Sequence, residues 1–411
     1  MNGNEKKSLV PRLRFPEFRG TVPTLPLDTI ADFVSEKISI DKITPAHYVS
    51  TENLLSDFGG INPATKLPSV SSATSFRLKD ILVSNIRPYL RKVWQADVCG
   101  GASNDVLVIR PTERVRPDYL AAILQSNFFI DYVMGGAKGV KMPRGEISMI
   151  RQFPVPYPCS AEQKKIADCL SSLNDLLTAE IQKLDALKKY KKGLLQQLLP
   201  REGETVPRLR FREFQNATEW ERKTLAQLGE LVSGLTYSPN DVRENGLLVL
   251  RSSNVQDGRI VLGDNVYVRI DIAGAKPSLP NDILICVRNG SKSLIGKNAL
   301  IPEGMPPCTH GAFMTIFRSN SAKFMIQLFQ TTAYENQVAA DLGATINSIN
   351  GNQLKKYTFL IPKPAEQKAI ADFLTSLDEL IAAQAQKIEA LKTHKRGLVQ
   401  QLFPVLNEVP A

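Results

Sequence analysis

The sequence has few of the residues that build disulfides and metal sites. Its 411 residues include five cysteines and three histidines, and no two cysteines stand at a close paired spacing. A structural zinc ion takes four ligands, usually in such close pairs, so this supply does not build a usual site. We therefore expect no metal ligands, and free thiols of the kind found in a reducing cytoplasm.

Long apolar runs are also absent. No stretch approaches the roughly 20 apolar residues that span a bilayer, and residues 1–7 are polar with no apolar signal core behind them. These absences argue against insertion in a membrane and against secretion. We expect a cytoplasmic protein with no membrane contact.

Motifs of catalysis are missing as well. The sequence has neither a GxxxxGK[ST] phosphate loop nor the Asn/Asp-Pro-Pro-Tyr/Phe motif of amino-methyltransferases. The Glu-Gln-Lys segment at 162–164 returns at 366–368 and fits half of a nuclease metal site, but a suitably spaced Pro-Asp partner is missing and a helix start explains the same residues. His47, His310 and Cys308 lack a catalytic constellation. We predict no catalytic residue, no metal and no cofactor bound by this chain.

Positive charge, in contrast, is in excess. Lys and Arg number 51 against 41 Asp and Glu, which gives a formal net charge of +10. This balance favours a polyanionic partner such as nucleic acid or an anionic membrane surface. The length exceeds that of one ordinary core and predicts two or more domains.

Two segments of the sequence occur twice. Residues 10–18, VPRLRFPEF, return at 206–214 with one substitution. Residues 161–200 match residues 365–404 with about three-fifths of positions identical. The chain is therefore a tandem of two units, each with a short arm, a variable block and a duplicated segment.

The repeats predict the following division of the chain. The parts are an N-terminal arm (1–19), a first variable block (20–158), a helical segment (159–200), a repeated arm (201–215), a second variable block (216–362), a second helical segment (363–404) and a C-terminal tail (405–411).

Both duplicated segments carry apolar residues on the alternating four-and-three spacing of a coiled-coil seam. The seam residues are Ile166, Leu170, Leu173, Leu177, Leu184, Leu187, Leu194 and Leu198 in the first copy, and Ile370, Leu374, Leu377, Ile381, Ile388, Leu391, Leu398 and Leu402 in the second. Polar residues share two seam positions in the copies, Glu180 with Gln384 and Lys191 with Lys395. Two such helices can pair within the chain, although homodimerisation and ordinary core packing remain alternative interpretations.

Each predicted helix has a recognisable start and end. Ser160 with Gln163 forms a capping-box pattern, and Pro364 suits an early helical position. Pro200 and Pro404 follow the predicted ends.

The variable blocks are predicted to be compact mixed α/β domains with short apolar strands. The clearest strand candidates are residues 81–84, 106–109, 282–285 and 314–317. The blocks barely resemble each other, apart from an Asp-Ile-Leu followed six or seven residues on by Arg87 or Arg288. A repeated frame with diverged inserts indicates one scaffold that holds two different reading heads.

On these residues the chain resembles the specificity subunits of type I restriction-modification systems. The marks are the Glu-Gln helix starts at 162 and 366 after a proline-containing strand, and the segments 80–88 and 282–290. The resemblance covers nearly the whole chain. It implies a mixed α/β fold class in which two target-recognition domains are separated by two long helices, paired as an antiparallel intramolecular coiled coil in a pseudo-two-fold tandem repeat.

The resemblance also implies a function and partners. Each domain would read one half of a split target in double-stranded DNA, and the helices would act as the spacer between the two halves. Two methylation subunits would use S-adenosylmethionine to methylate adenine. Motor-nuclease subunits would cut DNA with ATP and Mg. Alternatives are a stand-alone coiled-coil DNA-binding regulator and a purely structural adaptor.

Sequence-specific readers use Arg or Lys for guanine edges and Asn or Gln for adenine edges, with further cations on phosphates. Candidates in turn-like segments are Arg87, Arg91, Lys92, Lys138, Lys141 and Arg144 in the first block, and Arg288, Asn289, Lys292, Lys297, Asn347, Asn350 and Asn352 in the second. For each single residue, a solvated surface position is an equally good explanation. The arm residues Arg12, Arg14, Arg208 and Arg210 are duplicated while the blocks differ, so we expect them to dock the arms on the helices or on partner subunits.

Overall fold

A computed structural model describes residues 11–201, 203–342 and 347–403. The predicted helix end at Pro404, the tail 405–411 and residues 1–10 of the arm lie outside the described residues. The chain divides into two compact units, unit 1 from 1–182 with 386–411 and unit 2 from 183–385. The division passes through both duplicated segments, so each unit contains one variable block and parts of both helices.

Unit 1 is a mixed α/β unit. Its strands are β1 (Thr24–Pro26), β2 (Ala31–Phe33), β3 (Lys37–Ser39), β4 (Tyr48–Val49), β5 (Ser72–Phe76), β6 (Ile81–Ser84), β7 (Val93–Gln95), β8 (Gly100–Ala102), β9 (Val106–Pro111) and β10 (Pro154–Pro156). Its short helices are α1 (Pro117–Leu124), α2 (Asn127–Gly135) and α3 (Ile147–Arg151), and the long helix α4 (Ser160–Leu198) begins in it.

The central sheet of unit 1 has the order β2-β9-β6-β7, with antiparallel neighbours throughout. All four residues of β6 are buried, which explains why three of them are consecutive large apolar residues. A second sheet has the order β3-β5-β8-β4 and ends in a parallel pair. Its strand β8 contains Gly100, where a Cβ atom would lie 2.0 Å from the backbone oxygen of His47. Glycine is required there because the two backbones approach so closely.

Unit 2 repeats this architecture with a different sequence. Its strands are β11 (Glu221–Thr224), β12 (Glu230–Ser233), β13 (Val242–Arg243), β14 (Leu247–Leu250), β15 (Val255–Gln256), β16 (Arg259–Ile260), β17 (Val266–Val268), β18 (Ile283–Cys286), β19 (Asn298–Leu300), β20 (Cys308–His310), β21 (Met314–Arg318) and β22 (Thr358–Ile361). Its helices are α5 (Leu225–Leu228), α6 (Ala322–Leu328), α7 (Thr332–Asp341) and α8 (Gly351–Lys355), and the long helix α9 (Pro364–Leu402) begins in it.

The central sheet of unit 2 has the order β12-β21-β18-β19, which matches the sheet of unit 1 strand for strand. Its middle strand β18 is again wholly buried. The second sheet, β13-β17-β14-β20, also ends in a parallel pair, but the two strands of that pair have exchanged places relative to unit 1. The predicted strands at 81–84, 106–109 and 314–317 are thus confirmed as β6, β9 and β21. The strand predicted at 282–285 is β18, which begins one residue later because Asp282 lies in the preceding turn.

Both central sheets contain the same ion pair, in which a half-buried arginine contacts a buried aspartate. In unit 1, Arg110 donates from Nε and Nη2 to the two carboxylate oxygens of Asp80, at 2.9 and 2.7 Å. In unit 2, Arg318 contacts Asp282 in the same way, at 2.8 Å for both bonds. Each aspartate also accepts a backbone N–H three residues earlier, so it caps the turn before the middle strand. The repeated Asp-Ile-Leu is therefore a structural element of the fold.

The long helices run antiparallel within each unit. In unit 1, Ile166 and Leu170 of α4 share a hydrophobic cluster with Val399 and Leu402 of α9. In unit 2, the end of α4 shares a cluster with the start of α9. The predicted seam residues are all buried or half-buried. The helices therefore pair within the chain, the first of the interpretations left open by the heptad pattern.

The polar seam positions form specific contacts. Glu180 accepts a hydrogen bond from Lys387 at 2.5 Å in unit 1. In unit 2, Lys191 donates to both oxygens of Asp378 at 2.7 and 2.8 Å, and Gln327 donates to the same carboxylate at 3.0 Å. Burial is the main cause of a lowered pKa for Lys191, and burial also lowers the pKa of Lys395.

The helix starts agree with the sequence in one copy and differ in the other. Pro364 is the first residue of α9, as predicted. The capping-box prediction for Gln163 is wrong, because its side chain donates to the carbonyl of Pro158 at 3.0 Å and accepts from the N–H of Arg116 at 3.1 Å. The Gln163 side chain thus ties the start of α4 to the residue before α1, instead of accepting the backbone N–H of Ser160 as a capping box requires. Among the described residues, no helix is both long and apolar enough to cross a membrane.

Candidate nucleic-acid interface

In unit 1 the predicted DNA-contacting residues meet at one end of the central sheet. The turn after β6 and the start of β9 are joined by a bond from the N–H of Asn85 to the carbonyl of Asp105, at 2.9 Å. Residues 138–144 form a hairpin against them, because the N–H of Arg87 donates to the carbonyl of Pro143 at 2.8 Å. We call this set, residues 85–91, 105 and 138–144, edge 1.

Edge 1 presents four of the predicted cations to solvent. They are Arg87, Lys138, Lys141 and Arg144. Arg87 has a left-handed backbone with a φ of +52°. Arg144 contacts Asp105 at 3.1 Å, and Lys138 contacts Glu146 at 2.5 Å. The bond from Lys138 is the main cause of a lowered pKa at Glu146.

Arg91 and Lys92 make contacts within the fold. Arg91 is ion-paired with Asp57, and its carbonyl accepts the N–H of Phe58 at 2.8 Å. Lys92 donates from Nζ to the carbonyl of Thr51 at 2.7 Å. These contacts hold the loop before β5, and they supply a structural function for both side chains.

The same end of the sheet in unit 2 has the same backbone pattern, and we call it edge 2, residues 287–292, 313 and 347–349. The N–H of Val287 donates to the carbonyl of Phe313 at 3.0 Å, and the N–H of Ile349 donates back to Val287 at 2.9 Å. Since Phe313 precedes β21 as Asp105 precedes β9, the two residues occupy equivalent positions. The guanidinium of Arg288 lies 5.7 Å from the centre of the Phe313 ring.

The predicted amides and lysines of unit 2 have different surroundings. Asn289 donates to Ser252 at 3.0 Å, and Asn347 donates to the carbonyl of Gly290 at 3.4 Å, so both lie at edge 2. Lys292 and Lys297 are exposed beyond the end of β18, and Asn352 is exposed on α8. Asn350 is the N-cap of α8 and accepts the N–H of Gln353 at 2.9 Å, which gives it a structural function.

Sequence reasoning missed Asp105 and Phe313. Both stand directly before a predicted strand, a position that brings a side chain to the end of the sheet. An arginine from another segment contacts each of these two residues. The contact is an ion pair of Arg144 with Asp105 in unit 1 and a cation–π contact of Arg288 with Phe313 in unit 2. The two edges therefore share a scaffold and differ in chemistry.

A family model described as the type I restriction modification DNA specificity domain matches residues 73–189 and 217–393. These residues make up more than half of the chain. The chain belongs to this family.

Two curated relatives in the specificity-domain family illustrate the extent of the similarity. The specificity subunit of the type I restriction enzyme StySPI from Salmonella potsdam is 28% identical over 182 residues, which are 42% of this chain and 39% of that protein. The specificity subunit of EcoKI from Escherichia coli K12 is 29% identical over 168 residues, 38% of this chain and 36% of that protein. The similarity thus spans about two-fifths of the length of these relatives.

The fold also agrees with that of a solved member. The crystal structure of the type I restriction-modification S subunit from M. genitalium aligns with a TM-score of 0.60 and 14% identity, covering 96% of this chain and 99% of that one. This chain therefore has a mixed α/β architecture with two specificity domains and long helices.

The repeated arms of this specificity-domain chain dock on its helices. Arg14 contacts Glu162 of α4 through two bonds of 2.7 and 2.8 Å, and Arg210 contacts Glu366 of α9 through two bonds of 2.7 Å. For these two arginines the docking prediction is confirmed. The paired glutamates are almost fully buried, so the Glu-Gln-Lys segments supply structural anchors instead of exposed acids.

The remaining candidate groups also have structural surroundings. His310 is buried, with Nδ1 3.1 Å from the hydroxyl of Ser278 and Nε2 2.9 Å from the carbonyl of Val232, and burial lowers its pKa. Burial raises the pKa of Cys308 to about 11. All five cysteines are free thiols. Within residues 11–201, 203–342 and 347–403, no three His, Cys, Asp or Glu side chains cluster closely enough to hold a metal ion.

Proposed function

We propose that this chain is the DNA-reading specificity subunit of a type I restriction-modification enzyme, in which each unit reads one half of a bipartite target. The supporting observation is the pair of equivalent sheet ends, edge 1 and edge 2. Each places Arg, Lys or Asn side chains on short turns with a defined backbone, and the two sets differ. Two different sets of readers on one repeated scaffold suit a target whose halves differ in sequence.

The catalytic steps belong to partners under this proposal. Two methylation subunits bind S-adenosylmethionine and methylate adenine, and motor-nuclease subunits cut DNA with ATP and Mg, while this chain selects the site. The proposal places the complex in the cytoplasm, where its DNA is. Adenine-methylation mapping in cells with and without the gene tests it. Cells without the gene are expected to lose adenine methylation at one bipartite motif. An unchanged set of methylated adenines would contradict the proposal.

Salt dependence tests the electrostatic part of the proposal. The affinity of the complex with its methylation subunits should fall steeply as salt rises, because bound cations release counterions from phosphates. Replacing Lys138 or Lys141 by Ala should each lower the slope of log affinity against log salt by about 1, with little change of motif. Lys66→Ala is a matched exposed control in the same unit. A flat salt response in the unmodified complex would remove the DNA-reading function.

Single arginines should determine bases in one half only. Arg144→Ala should cost about 1–3 kcal/mol and relax one base pair of the half read by unit 1, while Arg288→Ala should do the same in the other half. Arg77→Ala and Arg269→Ala are controls, because both side chains are exposed. Arg77 is ion-paired with Glu36 and Arg269 with Asp241, much as Arg144 is ion-paired with Asp105.

Competition binding against single-base variants of the mapped motif measures both effects. Equal loss of affinity for every variant would assign the arginine to phosphate contact, and no loss would remove it from the interface.

A further inference from the structure

The hairpin of edge 1 exposes apolar side chains at its tip. Val140 is 100% exposed and Met142 is 50% exposed. Tyr89, on the turn that the hairpin contacts, is 48% exposed. Single exposed apolar residues are ordinary on protein surfaces, but several on one protruding element indicate a surface that binds something.

The tip is held in place by backbone bonds. Lys138 and Arg144 exchange two hydrogen bonds, each 2.9 Å long, which closes the hairpin. The N–H of Arg87 donates to the carbonyl of Pro143, and the Pro143 ring is buried. Gly139 has a φ of +99°, which is strained for any other residue at that turn. The backbone of the hairpin is therefore well ordered although the side chains of Val140 and Met142 at its tip are exposed.

The charges around the tip favour DNA over a protein as the occupant. Within residues 138–144, KGVKMPR, cations alternate with the apolar residues, so Val140 and Met142 each have a cation on either side. A duplex presents phosphates on both sides of a groove floor made of base edges. An apolar tip between cations is complementary to that arrangement.

We propose that Val140 and Met142 enter a groove in the half-site read by unit 1 and act as a wedge that unstacks one base step, while Lys138 and Lys141 contact the flanking phosphates. This inference rests on the proposed DNA-reading function and adds the deformation of DNA to it. Apolar wedges are a general device of proteins that kink DNA, and they gain specificity from steps that unstack easily. A wedge would make unit 1 select for deformability as well as for base edges.

The test uses the complex with its methylation subunits and duplexes that carry the mapped motif. 2-Aminopurine is placed at successive positions of the half read by unit 1, because its fluorescence rises when it is unstacked. The unmodified complex should raise the fluorescence at one step. The variant V140S/M142Q should abolish the rise and lower the affinity about tenfold, with an unchanged salt slope because no charge is removed. Leu78→Ser, at an exposed apolar residue of the same unit, is the matched control.

A pre-unstacked site separates a wedge from simple groove contact. A mismatch at the responsive step removes the need for a wedge, so V140S/M142Q should regain most of its lost affinity there. No fluorescence rise at any position would overturn the wedge, although a salt-dependent preference for the motif would keep the proposed function. A second outcome would also overturn the wedge. If V140S/M142Q bound the methylation subunits more weakly, while the complex that did form bound DNA with normal affinity, the tip would be assigned to a protein contact.

Discussion

Replacing Arg318 by Ala is expected to lower the free energy of unfolding of unit 2 by about 3 kcal/mol, because it leaves the carboxylate of Asp282 buried without its counter-charge. The Asp282 side chain is 3% exposed, and Arg318 supplies two of its bonds. Arg110→Ala should have the same effect in unit 1, where Asp80 is also 3% exposed. Arg269→Ala removes the ion pairs of an exposed arginine with Asp241 and Asp271, so it should cost less than about 1 kcal/mol.

The two tryptophans allow each unit to be followed separately. Trp94 is buried in unit 1 and Trp220 in unit 2. Urea denaturation in a Trp94→Phe background should show the Arg318→Ala shift through Trp220, and a Trp220→Phe background should show the Arg110→Ala shift through Trp94. The double variant D282N/R318M removes both charges and keeps a polar group for the turn, so it should recover part of the loss. A shift for Arg318→Ala no larger than that for Arg269→Ala would contradict the structural function of the ion pair.

The parts of the fold that were predictable from the sequence are those with a local signal. The buried strands β6 and β18 are mostly apolar, and the long helices carry a heptad pattern, with Pro364 at the start of α9. The duplication also identified Arg14 and Arg210 as docking residues, because a function in base reading would not repeat where the blocks differ. In each case the residues concerned are close in sequence or are compared between two copies.

The candidate site was predictable only in outline. Arg91 and Lys92 satisfy the same turn-and-charge criterion as Arg87, but contacts to residues 51 and 57 engage them within the fold. Asp105 lacks any sequence signal as a partner of Arg144, because the contact forms only when the hairpin 138–144 folds onto the sheet. Pairings between distant segments determine which cations face outward, and those pairings leave no local pattern in the sequence.

Exchange of a whole variable block tests the independence of the two readers most directly. Residues 20–158 would be replaced by the first block of another specificity subunit whose motif is known. The junctions keep helices α4 and α9. Tyr119 of the replaced block contacts the ring of Phe403, at the end of α9, with 5.8 Å between centroids, so the donor block should carry an aromatic residue at the equivalent position. The reciprocal exchange of residues 216–362 is the matched experiment for unit 2.

Adenine-methylation mapping of these exchanges is the measurement that decides the central claim, since it reads the selected bases without a binding assay. The account predicts that the exchange of residues 20–158 replaces one half of the methylated motif with that of the donor and leaves the other half unchanged. The exchange of residues 216–362 should do the opposite. A change in both halves from one exchange, or an unaltered motif in a stable and active complex, would contradict the assignment of one half-site to each unit.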